Sequence, residues 1–169
     1  MADEKKAVVY DVDGYDIITA VLLDLLNQFP GLAEGDEIAF ATLGAENGKA
    51  IFPANGAVIE AEKISVTGTV RQTCAYPFHL VYRASGLPES RKAKAKEWLD
   101  SVGKWLEGQP VTINGKSYEL DSYPPLTGSR QFKSVRRSSP AYLSETEENK
   151  AENWVIYLTA RYENTFKRK

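Results

Sequence analysis

Between residues 17 and 29, Ile18, Val21, Leu22, Leu25, Leu26 and Phe29 recur at three- and four-residue spacing. That period predicts a helix with one wide apolar face. Asp16 stands before it as a candidate N-cap, and Pro30-Gly31 ends it. The period then falls to two. Residues 36–43 alternate weakly around Ile38 and Phe40, which predicts a short strand. Residues 44–56 carry turn residues and read as a loop, with a small strand near Ile51-Phe52. Residues 63–73 alternate more firmly, with Ile64, Val66, Gly68 and Val70 on one face; residues 75–84 follow, with Phe78, Leu80 and Tyr82 on one side. The two runs predict an antiparallel hairpin. Pro77, which lacks a ladder donor, is expected at the edge or the start of its strand.

The helical period returns between residues 90 and 106. Ala95, Trp98, Leu99, Val102, Trp105 and Leu106 share a face, while Lys92, Lys96, Asp100, Lys104 and Glu107 lie largely off it. Gly108 caps this helix and Pro110 prevents its continuation. Asn114-Gly115 within 111–120 is a strong hairpin signal. Residues 130–137 alternate, placing Phe132, Ser134 and Arg136 on one side and Lys133, Val135 and Arg137 on the other. Residues 138–152 are polar and read as an exposed connection. Trp154, Ile156, Leu158, Ala160 and Tyr162 then form the inward face of a closing strand. The expected fold is α+β: a single mixed, mainly antiparallel sheet flanked by two main helices, in one domain over 1–169. Residues 1–9 are expected to form a flexible tail.

Composition narrows the function classes. The 169 residues are 43% hydrophobic and 26% charged, with a net charge of −2. This is the make-up of a globular domain that can bury roughly 70% of its unfolded surface, and the charge does not favour a polyanion as main partner. Cys74 is the only cysteine, so an intrachain disulfide is excluded. The longest apolar stretch, 17–26, is about half a membrane span and contains Asp24, and no signal-peptide pattern follows Met1. Membrane association is therefore not expected, and synthesis in the cytoplasm is.

Candidate chemistry is sparse. Val8-Val9-Tyr10-Asp11-Val12-Asp13-Gly14 has the form of an apolar strand leading into Asp-x-Asp. Haloacid-dehalogenase-type phosphatases use such a pair as nucleophile and general acid beside Mg²⁺. They also need a later acidic pair on parallel strands, which this sequence lacks. The same residues fail as a calcium loop, because the twelfth position is Leu22 rather than Glu. His79 has no second histidine to complete a metal site or triad, and Cys74 no histidine nearby in sequence. No catalytic residue, cofactor or metal site is assigned. Arg130, Lys133, Arg136 and Arg137 form the one local basic cluster, with Phe132 and Tyr142 as stacking candidates for nucleic acid. Against that reading stands the acidic run Glu145, Glu147 and Glu148. A basic cluster and an acidic run on one chain suit a head-to-tail contact between copies.

Several segments resemble one family. They are residues 68–83 with Arg71, Phe78, Leu80 and Tyr82; the helix with Trp98-Leu99 and Trp105-Leu106; Val135-Arg136-Arg137-Ser138-Ser139-Pro140-Ala141-Tyr142-Leu143; and the closing aromatic strand. Together they span most of 10–166 and resemble the tail-terminator, tail-completion or minor capsid proteins of long-tailed phages and prophages. The resemblance rests on packing patterns and carries no catalytic residues. It implies a small fold with one mixed or antiparallel sheet and flanking helices. It also implies a homo-oligomeric ring, a hexamer, at the head-proximal end of the tail, in contact with the tail tube protein and the head–tail connector. A head–tail joining role is the neighbouring alternative. On this reading, residues 123–129 and 138–150 contact neighbouring subunits or the tube, and deleting 138–150 is expected to leave the monomer folded.

Overall fold

The computed structural model describes residues 7–86 and 88–168. The elements follow in the order α1 (Val12–Leu26), β1 (Ile38–Phe40), β2 (Gly48–Pro53), β3 (Val58–Ile64), β4 (Thr69–Ser85), α2 (Glu89–Leu106), β5 (Val111–Ile113), β6 (Lys116–Tyr118), β7 (Arg130–Arg137), β8 (Tyr142–Thr146) and β9 (Ala151–Lys167). Seven strands form one mixed sheet, and β5 and β6 form a separate hairpin. The fold is α+β, with two helices flanking the sheet.

The sheet is built on a spine. β4 and β9 are antiparallel and pair residue for residue from Thr69↔Lys167 to Ser85↔Ala151, with no bulge. Each strand has 17 residues, so the spine is about 55 Å long. Shorter strands flank it end to end. β3 and then β2 line β4, with β1 parallel to β2 outside it. β7 and β8 line β9.

Alternation assigns the two faces. Cys74, Tyr76, Phe78, Leu80 and Tyr82 of β4 stand opposite Tyr162, Ala160, Leu158, Ile156 and Trp154 of β9, and paired residues share a face. Both helices pack here. From α1, Tyr15 meets Tyr76 and Thr19 bonds the Tyr76 hydroxyl at 2.9 Å. From α2, Trp98 packs edge-on against Tyr82. Phe29 joins the helices by edge contacts with Trp98 and Trp105. Each large side chain buried in this layer contributes roughly 1.5–3 kcal/mol. Among the described residues, no helix covers the opposite face.

The structure corrects several expectations. Asp11, not Asp16, caps α1, its carboxylate accepting the Gly14 N–H at 3.1 Å. The helix ends at Leu26, and the chain runs on to Phe29 through tighter three-residue bonds. The expected hairpin at 64–73 and 75–84 is displaced. Its turn lies at 65–68, where Gly68 takes φ +83° and the Ser65 hydroxyl accepts the Thr69 N–H. Cys74-Ala75 is therefore mid-strand, and Val66 projects from the turn instead of sharing a strand face. Pro77 sits inside β4, not at its edge or start. Its carbonyl accepts the Ala54 N–H, so its nitrogen faces the gap where flanking β3 gives way to β2 and no ladder donor is needed.

The 44–56 loop contains the six-residue β2, with Ala50 and Ile51 buried. A bulge at Lys133 puts Phe132 and Val135 on the same face, opposite Tyr162 and Ala160, which breaks the alternation expected for 130–137. The 138–152 segment, expected as an exposed loop, holds strand β8, and its Ala141 and Ala151 are buried. Deleting 138–150 would remove a sheet strand along with the surface. Residues 1–6 of the expected tail lie outside the described residues, whereas Tyr10 bridges Val58 and Val9 accepts the Ile59 N–H. Asn114-Gly115 forms the expected two-residue turn, both residues at positive φ.

Candidate functional site

Asp11 lies where α1 meets the sheet. One oxygen accepts Gly14 N–H and Arg130 Nη2 at 3.1 and 2.7 Å; the other accepts Arg130 Nε and the Tyr162 hydroxyl at 2.9 and 2.7 Å. Burial pushes the Asp11 carboxyl up, but Arg130, Tyr162 and the Gly14 N–H outweigh it and hold the group below its usual range. Burial, with Asp11 beside it, drives the Tyr162 phenol far up. Burial also pushes the Cys74 thiol up to about 11, which leaves it inert at neutral pH. Asp13 is exposed on the first turn of α1. The Asp-x-Asp pair thus diverges: the first carboxylate is spent on a bidentate ion pair and a helix cap, and the second faces water. The strand–helix alternation of the phosphatase reading is also replaced by a mainly antiparallel sheet.

The basic cluster is split the same way. Arg130 is committed to Asp11, and Arg137 to Glu107 of α2 at 2.6 Å. Lys133 reaches Glu163 at 3.6 Å. Arg136 is exposed and joins no salt bridge among the described residues. Of the acidic run, Glu147 pairs with Arg83 at 3.1 Å, and both Glu145 and Glu147 accept from Asn153. Glu148 stays exposed beside Asn149 on the turn between β8 and β9. Within one chain the two clusters do not meet. Arg83, which carried no signal in the sequence, is the hub of this end of the spine: it also bonds Asn153 and the Gly44 carbonyl.

The face without helices carries a row of rings. Phe52, His79 and Tyr157 are register partners on β2, β4 and β9, with centroids 5.5 and 5.1 Å apart, and Tyr142 of β8 extends the row 6.3 Å from Tyr157. His79 Nδ1 is buried without a hydrogen-bond partner among the described residues, and desolvation holds the imidazole below its ordinary value, which favours the neutral form. The sequence showed a lone histidine; only the register reveals the row. No family model and no curated protein matches this chain.

The sheet edges differ in accessibility. Asn27 imitates a partner strand on β1, accepting the Ile38 N–H at 2.8 Å and donating to its carbonyl at 3.0 Å. The outer N–H groups of Val135 and Arg137 on β7 are taken by the Tyr123 hydroxyl and Glu107. β3 is covered in part by residues 9–11. By contrast, no side chain among the described residues caps the outer backbone of β8, and all five of its residues, including Tyr142 and Leu143, are exposed. Such an edge is ready to pair with another chain. At the other end, the tip of β3 and β4 and the end of β9 expose Ile64, Val66 and Phe166.

Proposed function

We propose that the protein is a structural component of a phage or prophage tail, of the terminator type, forming a ring at the head-proximal end of the tail tube and meeting the head–tail connector. The observation that carries this reading is the sheet face without helices, with its row of Phe52, His79, Tyr157 and Tyr142 ending at the open edge of β8. A domain with a packed core on one side and a half-buried aromatic row leading to exposed Tyr142 on the other is suited to assembly with other proteins. The fold has the make-up that the resemblance of 68–83, 91–106 and 135–143 implies. Asp11, the one residue with a case for nucleophilic chemistry, is fully engaged, which supports a non-enzymatic role over a phosphatase. A head–tail joining or minor capsid position uses the same surfaces.

The test is assembly. Purified protein is mixed with tail tubes assembled from a long-tailed-phage tube protein, and separately with a head–tail connector, and viewed by negative-stain microscopy. The expected result is a ring at one end of each tube and an arrest of tube growth. Absence of binding to tubes and connector alike, or phosphatase turnover lost in Asp11→Asn, would overturn the proposal.

A further inference from the structure

A cleft of about 460 Å³ opens on the helix side of the sheet, between β2 and the start of α2. Its floor is Trp98, fixed by an indole N–H bond to the Gly31 carbonyl at 3.0 Å, and Tyr82. Lys49 lies over both rings, 4.6 Å from the Tyr82 centroid and 5.2 Å from that of Trp98, and is paired with Asp36. Arg91 and Lys94 stand on the rim, three residues apart on one side of α2. Both are exposed, and neither joins a salt bridge among the described residues; their neighbours Lys92 and Lys96 are paired with Glu152 and Asp100. Three cations thus face one carboxylate around an aromatic floor, and two of the cations have no anion partner among the described residues.

We infer that this cleft is an acceptor for the acidic turn at residues 144–149 of a second copy of the chain. The inference rests on the ring assembly proposed above and supplies its contact. Charge complementarity carries it. The turn carries Glu145, Glu147 and Glu148; Glu147 is paired with Arg83 and both Glu145 and Glu147 accept from Asn153, so Glu148, exposed at the tip, leads the contact. Lys49 pairs in register with Tyr82 on the helix side, whereas Glu147 bonds Arg83 and Asn153 on the opposite side. The turn is also tethered to the loop before β2 through the bond from Asn149 to the Ala45 carbonyl. Donor and acceptor on opposite faces make the contact between copies heterologous, and repetition of a heterologous contact closes a ring when its rotation permits. The basic half of the head-to-tail contact therefore moves from 130–137, where Arg130 and Arg137 are already paired, to Lys49, Arg91 and Lys94.

The test uses a capped peptide of residues 144–149 as probe and the full chain as receptor. The Trp98 indole N–H and the Arg91 and Lys94 amides are followed by NMR. Saturable shifts at these positions are expected, weakening at least tenfold in Arg91→Glu/Lys94→Glu and vanishing for a peptide with its three glutamates replaced by lysine. The variant changes two exposed cations that join no salt bridge among the described residues, and an unaltered melting temperature verifies its fold. No shift around Trp98 at millimolar peptide, or equal affinity in the variant, would overturn the inference. So would a single-stranded oligonucleotide that displaces the peptide and binds more tightly. Tube capping separates the two claims. Capping that persists in Arg91→Glu/Lys94→Glu overturns the cleft contact and leaves the proposed function standing. Peptide binding without capping by the unaltered protein overturns the proposed function and leaves the cleft assigned.

Discussion

Replacing Asp11 with Ala removes one carboxylate and strands three groups at once. The Gly14 N–H loses its cap, the Tyr162 hydroxyl loses its acceptor, and the Arg130 guanidinium loses both of its bonds. Unpairing one partner of a buried ion pair costs about 3–5 kcal/mol, and loss of an N-cap alone about 1 kcal/mol. The same oxygens serve both roles, so the costs overlap, and Arg130 keeps 13% side-chain exposure through which water reaches it. A total near 3–4 kcal/mol follows. With a urea slope of about 2 kcal/mol per molar for a domain of this size, the unfolding midpoint should fall by about 1.5–2 M. Asp11→Asn keeps a cap and an acceptor and should lose about half as much. The acid limb supplies a second readout. Because the folded Asp11 carboxyl lies below its ordinary value of 3.8, its contribution is complete above that value and is lost as pH falls below it. The Asn variant lacks that part of the acid sensitivity. Pairing Asp11→Ser with Arg130→Met should recover much of the loss, since no buried charge is left alone. An Asp11→Ala protein within about 1 kcal/mol of the parent would refute the view that this network joins α1 to the sheet.

Other expectations follow from single contacts. Gly14→Ala places a methyl against the Asp11 carboxylate and the Tyr162 hydroxyl, so it should destabilise by about 1–3 kcal/mol in the same urea assay, although Ala is the better helix former. Asn27→Leu keeps the size but exposes the Ile38 backbone; a loss of about 1–3 kcal/mol and concentration-dependent association in sedimentation are expected. His79→Phe removes an unpartnered buried nitrogen from the ring row, so its melting temperature should rise. In the parent, stability should decline as pH falls below about 6.5, where the unfolded chain takes up a proton that folded His79 resists; the Phe variant should lack that decline. Arg83→Ala releases the turn at 147–150, and hydrogen exchange there should accelerate while the centre of the spine stays protected.

The helices were legible because their periods survive in the fold: Ile18, Leu22, Leu25 and Leu26 of α1, and Ala95, Leu99, Val102, Trp105 and Leu106 of α2, are the buried faces. The inward face of β9 was legible for the same reason, from Ile156 to Tyr162. Boundaries failed where alternation continued through a turn. Ser65, Thr67 and Thr69 keep the polar beat across a hairpin that local hydrogen bonds, not hydrophobicity, define. The one-residue bulge at Lys133 inverted the faces of the rest of β7, which no periodic reading registers. The site was less legible still. Salt-bridge partners lie far apart in sequence, as with Asp11 and Arg130 or Arg83 and Glu147, so a cluster of like charges in the chain proved a poor guide to unpaired charge on the surface. Lys49, Arg91 and Lys94 share a cleft only because the fold brings β2 and the start of α2 to its two sides.

The uninterrupted ladder between β4 and β9 has a consequence for biogenesis. Its partners are between 66 and 98 residues apart in the chain, so loop closure must precede most of the stabilising pairing, which makes folding slow. Until β9 leaves the ribosome, the nascent half-sheet displays the long β4 with one side unsatisfied, a template for mispairing between polysomal neighbours. A chaperone that shields nascent β4 should therefore raise the soluble yield more than any substitution near the helices.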